Sequence, residues 1–359
     1  MAFRIKELIS AGWRHAATII FVGGFAMDSF LLPDFDDPIT KYLGLSYLVI
    51  LAIIIYLREW VISKNTASIL EQRLYSLLTF GVSFFSGSAL SFVFVYAMRS
   101  AALQVSWPLF VILLVIMAAN EFISTHAYRF TLDIAVYFTA IIFYAIFHVP
   151  VVFGRVNDFV FFVSVVISTV IGLLYISVLR HASETAEYEQ GRGFALAIGV
   201  PMFVGMLYLL NIIPAVPLSL KASGIYHDVS KNEQGEYVGL GEKDNRFLAS
   251  WRRPVFHMTA GQTGIYYFSS VSAPAEVSAP ITHVWEYYDE AKREWVTSTT
   301  VSFELAGGRH EGYRAYSKKD NLLPGMWRIT VKVDDKRIVG RLRFYITKEG
   351  NAEVVEKKL

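Results

Sequence analysis

The chain contains no cysteine and has few charged residues for its length. Without cysteine, it can form neither a disulfide framework nor a thiolate metal site. Charged residues make up 18% of its 359 positions, whereas soluble domains usually contain about 25%. The net charge of +2 is also far from the concentrated basic surface that nucleic-acid binding requires. These shortages exclude a disulfide-stapled fold and lead us to expect no nucleic-acid partner.

The charges are concentrated in the last part of the chain. Residues 1–220 hold 25 charged side chains and residues 221–359 hold 39. This division excludes a single soluble domain and predicts a membrane α-helical bundle followed by a water-soluble domain. We place a multi-span transmembrane domain at 1–220, a linker with a hairpin at 221–247, a β-sandwich domain at 248–350 and a charged tail at 351–359.

Seven apolar runs are long enough for transmembrane helices, because a span needs roughly 20 predominantly apolar residues. They lie near 14–32, 42–60, 75–97, 102–120, 132–149, 159–179 and 193–214. With the N-terminus inside, the inner segments hold nine Lys and Arg residues and the outer loops three, which follows the positive-inside rule. The sequence predicts a multi-pass membrane protein with a cytoplasmic N-terminus and a C-terminal domain on the outer face, which is the periplasmic face of the inner membrane in a double-membrane bacterium.

Two groups of polar residues lie within or beside the apolar runs, where ionisable side chains are candidates for function. Asp28 begins an acidic stretch that forms either a solvated turn or a cation site. Glu121, His126 and Asp133 lie near the inner ends of the fourth and fifth runs. They form either a proton relay or headgroup site, or a hydrated loop with local ion pairs. These residues motivate an alternative function, a transporter or a lipid-modifying membrane enzyme.

From about Phe247, apolar and polar residues alternate, as is typical of β-strands. Seven strands are predicted, at 253–259, 264–272, 280–288, 294–304, 310–317, 326–333 and 337–347. Their regular spacing and the turn residues between them favour an all-β, Ig-like sandwich.

The last two predicted strands contain a candidate ligand site. A two-residue turn within 334–336 would place Trp327 and Phe344 together in the core. The opposite face would then gather cations and one aromatic residue, namely Arg328, Lys332, Arg341, Arg343 and Tyr345, with Arg314 as an extension. Like charges on paired strands are destabilising, so either carboxylates from neighbouring strands or an anionic ligand must compensate. Arginine suits forked binding of carboxylate or phosphate.

Residues from about 251 to 347 resemble a bacterial family of uncharacterised envelope proteins, the domain of unknown function 2914 family. The matching landmarks are Trp251-Arg252-Arg253-Pro254-Val255, His283-Val284-Trp285, Arg314-Ala315-Tyr316-Ser317, Pro324-Gly325-Met326-Trp327-Arg328, Gly340 and Phe344. The last hairpin has Asp334-Asp335-Lys336 where the family usually has Asp-Gly. The resemblance implies an envelope location and a β-sandwich module, and it supplies no activity.

No enzyme motif is present, since the sequence contains neither HEXXH, GxSxG nor a Walker loop. We therefore expect no catalytic residues, no metal and no cofactor, and we favour a non-enzymatic function. The favoured hypothesis is a membrane protein that displays a recognition or scaffolding sandwich. Its expected partners are the lipid bilayer and an envelope glycan, an anionic polymer, lipid headgroups or another envelope protein.

Overall fold

The structure is a computed structural model of the chain. It describes residues 32, 38–64, 68–100, 103–122, 126–234, 236–243, 254–259, 261–275, 277–306, 312–348 and 352–359. Within these ranges, only the backbone is described for 103–105, 120–122 and 126–128. The chain divides into two compact units, a helical unit and a β-rich unit whose main part begins at Pro214.

The helical unit consists mainly of long apolar helices. Its helices are α1 (Pro38–Ser63), α2 (Ile69–Ser100), α3 (Leu103–Phe122), α4 (His126–Phe153), α5 (Asp158–Leu179), the short α6 (Glu184–Tyr188) and α7 (Gln190–Leu209). α6 leads directly into α7, and the two are counted here as one helix. The described residues then contain six helices, of which five are long and apolar enough to cross a membrane. This indicates a membrane protein. Each apolar run from 42 to 214 coincides with one of these helices, whereas the run at 14–32, which contains Asp28, lies outside the described residues except for Leu32.

Small side chains let the last two long helices approach closely. Gly172 on α5 faces Ala197 on α7, and a Cβ added at Gly172 would lie 3.3 Å from the Ala197 Cβ. At one end of the same pair, the Phe161 and Tyr208 rings stack with centroids 3.5 Å apart. Close backbone approach is how helices gain packing energy in lipid, where the hydrophobic effect does not drive their association.

The β-rich unit contains eleven described strands in three sheets. The strands are β1 (Ser219–Tyr226), β2 (Asp228–Lys231), β3 (Tyr237–Glu242), β4 (Val255–His257), β5 (Gly264–Ser272), β6 (Ser278–Asp289), β7 (Glu294–Ala306), β8 (Tyr313–Asp320), β9 (Gly325–Val333), β10 (Arg337–Thr347) and β11 (Val354–Lys358). The sheet orders are β1-β5-β8, β4-β10-β9-β6-β7 and β11-β3-β2. All described pairs are antiparallel except β4 with β10.

One hydrophobic core joins the five-stranded sheet to the β1-β5-β8 sheet. Tyr267 on β5 belongs to the same buried cluster as Trp285, Ile329 and Phe344 on the five-stranded sheet. A polar ladder crosses this core at His283, whose Nε2 lies 2.8 Å from Ser269 Oγ and whose Nδ1 lies 2.9 Å from Ser317 Oγ. Ser317 Oγ also accepts a hydrogen bond from Trp285 Nε1 at 3.0 Å. The buried polar groups of the ladder are thus paired, as buried groups usually are.

The segments predicted as a linker and a tail contain strands. β1 pairs with β5 and completes the three-stranded sheet, and β11 pairs with β3 beside the β2–β3 hairpin. The β2–β3 hairpin lies within 221–247, where a hairpin was predicted, whereas β1 and β11 are short and largely polar and lack the apolar alternation by which strands are recognised in a sequence. Their hydrogen-bond partners lie far away along the chain. The β8 strand ends three residues later than predicted, because its register with β5 runs to Asp320 opposite Gly264.

Candidate functional site

The β9–β10 hairpin has the register that the sequence predicted. Ile329 pairs with Leu342 and Trp327 with Phe344. The turn is centred on Asp334 and Asp335, whose φ angles are 50° and 53°, and Lys336 N–H donates to Val333 O at 3.2 Å. Aspartate is among the few residues besides glycine that adopt this left-handed conformation readily. Val333 pairs with Arg337, so the loop contains the three residues 334–336, and a register shift between Ile338 and Gly340 restores the predicted pairing of the core residues. The predicted two-residue turn is therefore one residue too short.

This register places arginines on the face of the sheet opposite the core. We call the group Glu286, Trp295, Arg328, Thr330, Arg341 and Arg343 the arginine face. Arg343 pairs directly with Arg328 across the two strands, and Arg328 in turn pairs with Glu286 on β6. The guanidinium of Arg328 donates from Nε and Nη2 to the two Glu286 oxygens, at 2.5 and 2.6 Å. This forked pair is the strongest polar contact of the face.

Thr330 and Trp295 join the other arginines to this pair. Thr330 Oγ1 donates to Glu286 at 3.3 Å and accepts from Arg341 Nε at 3.3 Å. The Cζ atoms of Arg328 and Arg343 lie 4.4 and 5.8 Å from the centre of the Trp295 ring, within cation–π range. Arg328 therefore contacts both Glu286 and Trp295, while Arg341 is linked to Glu286 through Thr330 and Arg343 packs against Trp295.

The arginine face holds more positive than negative charge. Glu286 pairs with Arg328, whereas no carboxylate among the described residues forms an ion pair with Arg341 or Arg343. Arg343 Nε is buried without a hydrogen-bond acceptor. Burial, together with the charges of Arg328 and Arg343, lowers the pKa of Arg341. Burial acts to raise the pKa of Glu286, but the hydrogen bonds and charge of Arg328 outweigh it and lower that pKa, so Glu286 is ionised at neutral pH.

The remaining residues predicted for this site fall in different places. Tyr345 is 44% exposed and stands on β10 two residues beyond Arg343, on the same face. Lys332 also lies on this face, opposite Thr282 of β6, at the margin of the group. Arg314 does not join them, because it lies on β8 of the other sheet, opposite Ser270. Thr330 lies between Arg328 and Lys332 on β9, so alternation places it on the same face, but its contacts with Glu286 and Arg341 follow only from the structure.

A second charged group is buried in the helical unit. Arg58 on α1 donates to Asp133 on α4 at 2.5 Å and to Glu59 at 2.9 Å. Arg129 Nε lies 3.0 Å from the other Asp133 oxygen, and Ser183, the N-cap of α6, donates to Glu59 at 3.2 Å. Arg58, Glu59 and Asp133 are each 3% exposed or less. Two cations and two anions thus form a charge-balanced network.

Only part of this network was predicted from the sequence. Asp133 was predicted as a candidate, but Arg58 and Glu59 were not, because nothing in the sequence shows that the end of α1 meets the start of α4. Glu121 and His126 belong to α3 and α4, and their side chains lie outside the described part of the structure. Asp28 also falls outside the described residues.

Two histidines meet a glutamate elsewhere in the β-rich unit. Glu242 accepts from the His257 backbone N–H at 2.6 Å and lies 3.0 Å from His257 Nδ1, and His227 Nε2 is 3.5 Å from the same carboxylate. Burial acts to lower the pKa of His227, but the hydrogen bonds to Glu242 and Gln262 outweigh it and raise that pKa. Within the described ranges, no group of three His, Asp or Glu residues is arranged to hold a metal ion.

The structure defines a chain with apolar helices of membrane length and a β-rich C-terminal part that presents an arginine-rich sheet face. Residues 278–346 match the family described as "Protein of unknown function (DUF2914)", which confirms the resemblance. The C-terminal part therefore carries a DUF2914 domain, and the whole arginine face lies within the matched residues. The helical part has no family match.

Two further comparisons add no functional information. No curated protein matches the chain. Among solved structures, Pseudomonas fluorescens alkylpurine DNA glycosylase AlkC bound to DNA containing an abasic site analog matches with a TM-score of 0.23 and 9% identity, over 88% of this chain and 100% of that chain. A TM-score this low carries no argument about fold or function.

Proposed function

We propose that this protein is an integral membrane protein whose DUF2914 domain recognises an anionic component of the cell envelope through the arginine face. The observation that carries the proposal is the excess of cations on that face. Arg341 and Arg343 stand beside Arg328 without a carboxylate of their own among the described residues. Adjacent like charges cost stability, and an anionic ligand removes that cost when it binds.

The Glu286–Arg328 pair supports binding rather than opposing it. It holds the Arg328 guanidinium in one orientation, and Trp295 packs against the same group at 4.4 Å. A binding site whose groups are already oriented loses less conformational entropy when the ligand arrives. Arg341 and Arg343 then supply the donors that remain available to a carboxylate or phosphate group.

We also propose a bacterial inner-membrane location, with the N-terminus in the cytoplasm and the β-rich unit in the periplasm. The excess of Lys and Arg in the predicted inner segments supports this orientation. The same proposal includes seven membrane spans in total, the first at 14–32. It also includes an Ig-like sandwich formed by the five-stranded sheet and the β1-β5-β8 sheet. Five long apolar helices and the shared core of the two sheets support it.

Binding is tested with the full-length protein in phosphatidylcholine nanodiscs, applied to resins that carry phosphate, carboxylate or uncharged groups. Arg341→Gln/Arg343→Gln should reduce salt-sensitive retention at least about tenfold, because each charge-assisted contact is worth 1.5–3 kcal/mol. Arg314→Gln/Lys318→Gln is the matched control, since it removes two cations from the other sheet. Equal losses in both variants would show that retention depends on net charge and would contradict the proposal.

Orientation is tested by cysteine labelling, which is simple in a chain without cysteine. Glu290→Cys lies in the exposed β6–β7 turn and His181→Cys in the exposed connection before α6. A membrane-impermeant maleimide added to spheroplasts should label the first position and leave the second unlabelled until the cells are lysed. The reverse pattern would place the β-rich unit in the cytoplasm.

A transporter or lipid-modifying enzyme is the second candidate, and the buried Arg58–Asp133–Arg129 network is the observation that favours it. Its charges neutralise one another. The cavity of about 210 Å³ between α3, α4 and α7 is apolar, and no ionisable side chain of the described residues lines it. The test is whether the Asp133→Asn variant restores the phenotype lost in a deletion strain. If it does not, although the variant protein is folded in the membrane, the second candidate gains over the first.

A further inference from the structure

Building on the proposed function, we propose that the arginine face selects phosphate monoesters over singly charged anions. The inference concerns the class of ligand, and it follows from the charge, geometry and hydrogen-bond donors of the face. The same chemistry occurs in a soluble phosphate ester and in the headgroup of a lipid with a terminal phosphate.

The charge of the face matches a dianion. Arg328 pairs with Glu286, whereas Arg341 contacts Thr330 and Arg343 contacts Trp295 beside that pair, which leaves an excess of two positive charges among these residues. A phosphate monoester carries about −1.5 to −2 charge at pH 7, because its second pKa is near 6. A phosphodiester or a carboxylate carries only one negative charge and leaves one guanidinium uncompensated.

The unused donors point to the same class of ligand. Glu286 accepts two hydrogen bonds from Arg328 and one from Thr330, so it has little capacity left for the other arginines. Arg341 makes one side-chain hydrogen bond, through Nε to Thr330, and Arg343 is held by ring contact with Trp295. Their terminal nitrogens form two forks, and a phosphate monoester presents three equivalent oxygens to them.

Ionisable groups face this position from four strands. They are Glu286 on β6, Arg328 and Lys332 on β9, Arg341, Arg343 and Tyr345 on β10, and His257 on the edge strand β4, which pairs with β10. Titration of a protein group would change the binding of all anions. A change between pH 5 and pH 7.5 that a phosphodiester and a carboxylate do not share therefore comes from the second ionisation of the phosphate monoester.

The test compares three ligands built on one glycerol scaffold, each titrated against the full-length protein in phosphatidylcholine nanodiscs. Glycerol 3-phosphate is the monoester, glycerophosphoglycerol the diester and glycerate the carboxylate. We expect the monoester to bind about tenfold tighter than the other two, since one added charge-assisted contact is worth about that factor. Its affinity should rise between pH 5 and pH 7.5, and the preference should vanish in Arg341→Gln/Arg343→Gln but survive in Arg314→Gln.

A lipid arm distinguishes the source of the phosphate. Phosphatidylcholine vesicles containing either phosphatidic acid or phosphatidylglycerol are mixed with the nanodiscs, and their association is measured by flotation. A preference for phosphatidic acid supports the inference with a lipid headgroup as the source, and a preference confined to glycerol 3-phosphate supports it with a soluble ester.

The failure of this inference is distinguishable from the failure of the proposed function. Equal affinity for the three glycerol ligands, lost in the double variant, would overturn monoester selection and leave anion recognition standing. Binding that the double variant does not change would overturn both, as would an absence of binding in every arm. Arg341→Lys/Arg343→Lys keeps both charges and covers the case in which the glutamine variant does not fold.

Discussion

The buried histidine of the β-rich unit predicts a specific loss of stability in acid. His283 is fully buried in the core and bonded to two serine hydroxyls, Ser269 and Ser317. Burial lowers its pKa from the ordinary value of 6.5 to about 3, because the charged imidazolium cannot be hydrated there. The folded state therefore keeps His283 neutral at pH values where the unfolded chain has already taken up a proton.

The direction and size of the effect follow from linkage between protonation and folding. The histidine's contribution is fully present above its unfolded pKa of 6.5, falls as the pH drops through the interval from 6.5 to 3, and is constant below that. Each pH unit inside the interval is worth about 1.4 kcal/mol. Between pH 7 and pH 4.5, His283 alone should lower the free energy of unfolding by about 2.5 kcal/mol.

Hydrogen exchange measured by mass spectrometry on the full-length protein in nanodiscs tests this value. The slowest amides of β6 and β9 report global opening of the unit, and their protection factors should fall about 70-fold more in the parent than in His283→Gln between pH 7 and pH 4.5. The comparison uses the difference between two pH dependences, so a lower absolute stability of the variant does not affect it. Equal pH dependences would show that His283 is protonated in the folded state and would refute the reasoning.

Three substitutions test the charged groups. Arg343→Gln should raise the stability of the β-rich unit by about 0.2–1 kcal/mol, because it removes a like-charge pair with Arg328; thermal unfolding measures this, and a loss of stability would contradict it. Glu286→Gln should destabilise the unit by about 1.5–3 kcal/mol, since the forked charged contacts to Arg328 are lost; Glu294→Gln on the exposed end of β7 is its control. Asp133→Asn should destabilise the helical unit by about 3–5 kcal/mol, because Arg58 is left buried with less negative charge beside it. A melting temperature in nanodiscs that does not change would show that water already compensates Arg58.

The strand register was predictable from the sequence because one face of the hairpin is apolar. A shift by one residue would expose Trp327 and Phe344, which are 2% and 0% exposed in the structure. Once these two side chains are assigned to the core, the arginines of both strands must share the other face. Alternation places Arg328 and Arg343 on the same face, whereas their direct pairing also depends on the register shift between Ile338 and Gly340.

Contacts between distant segments were not predictable in the same way. Arg58 and Asp133 lie 75 positions apart in the sequence, and only the packing of α1 against α4 makes them partners. Arg314 shows the opposite error, because it was grouped with the arginine face by sequence composition although β8 belongs to the other sheet. Periodicity assigns a residue to one side of its own strand, whereas the order of strands in a sheet depends on long-range pairing.

The apolar face of β9 and β10 stabilises the hairpin, whereas the pair of like charges on the opposite face destabilises it. On the core side, fully burying a large apolar side chain such as Ile329 or Phe344 is worth about 1.5–3 kcal/mol. On the other side, a pair of like charges such as Arg328 and Arg343 costs about 0.2–1 kcal/mol. The core contribution is several times larger, so the hairpin keeps its register despite the repulsion. The fold is therefore stable despite the uncompensated charges of Arg341 and Arg343 and does not require them. Binding of an anion gives these two side chains a role that they do not have in folding.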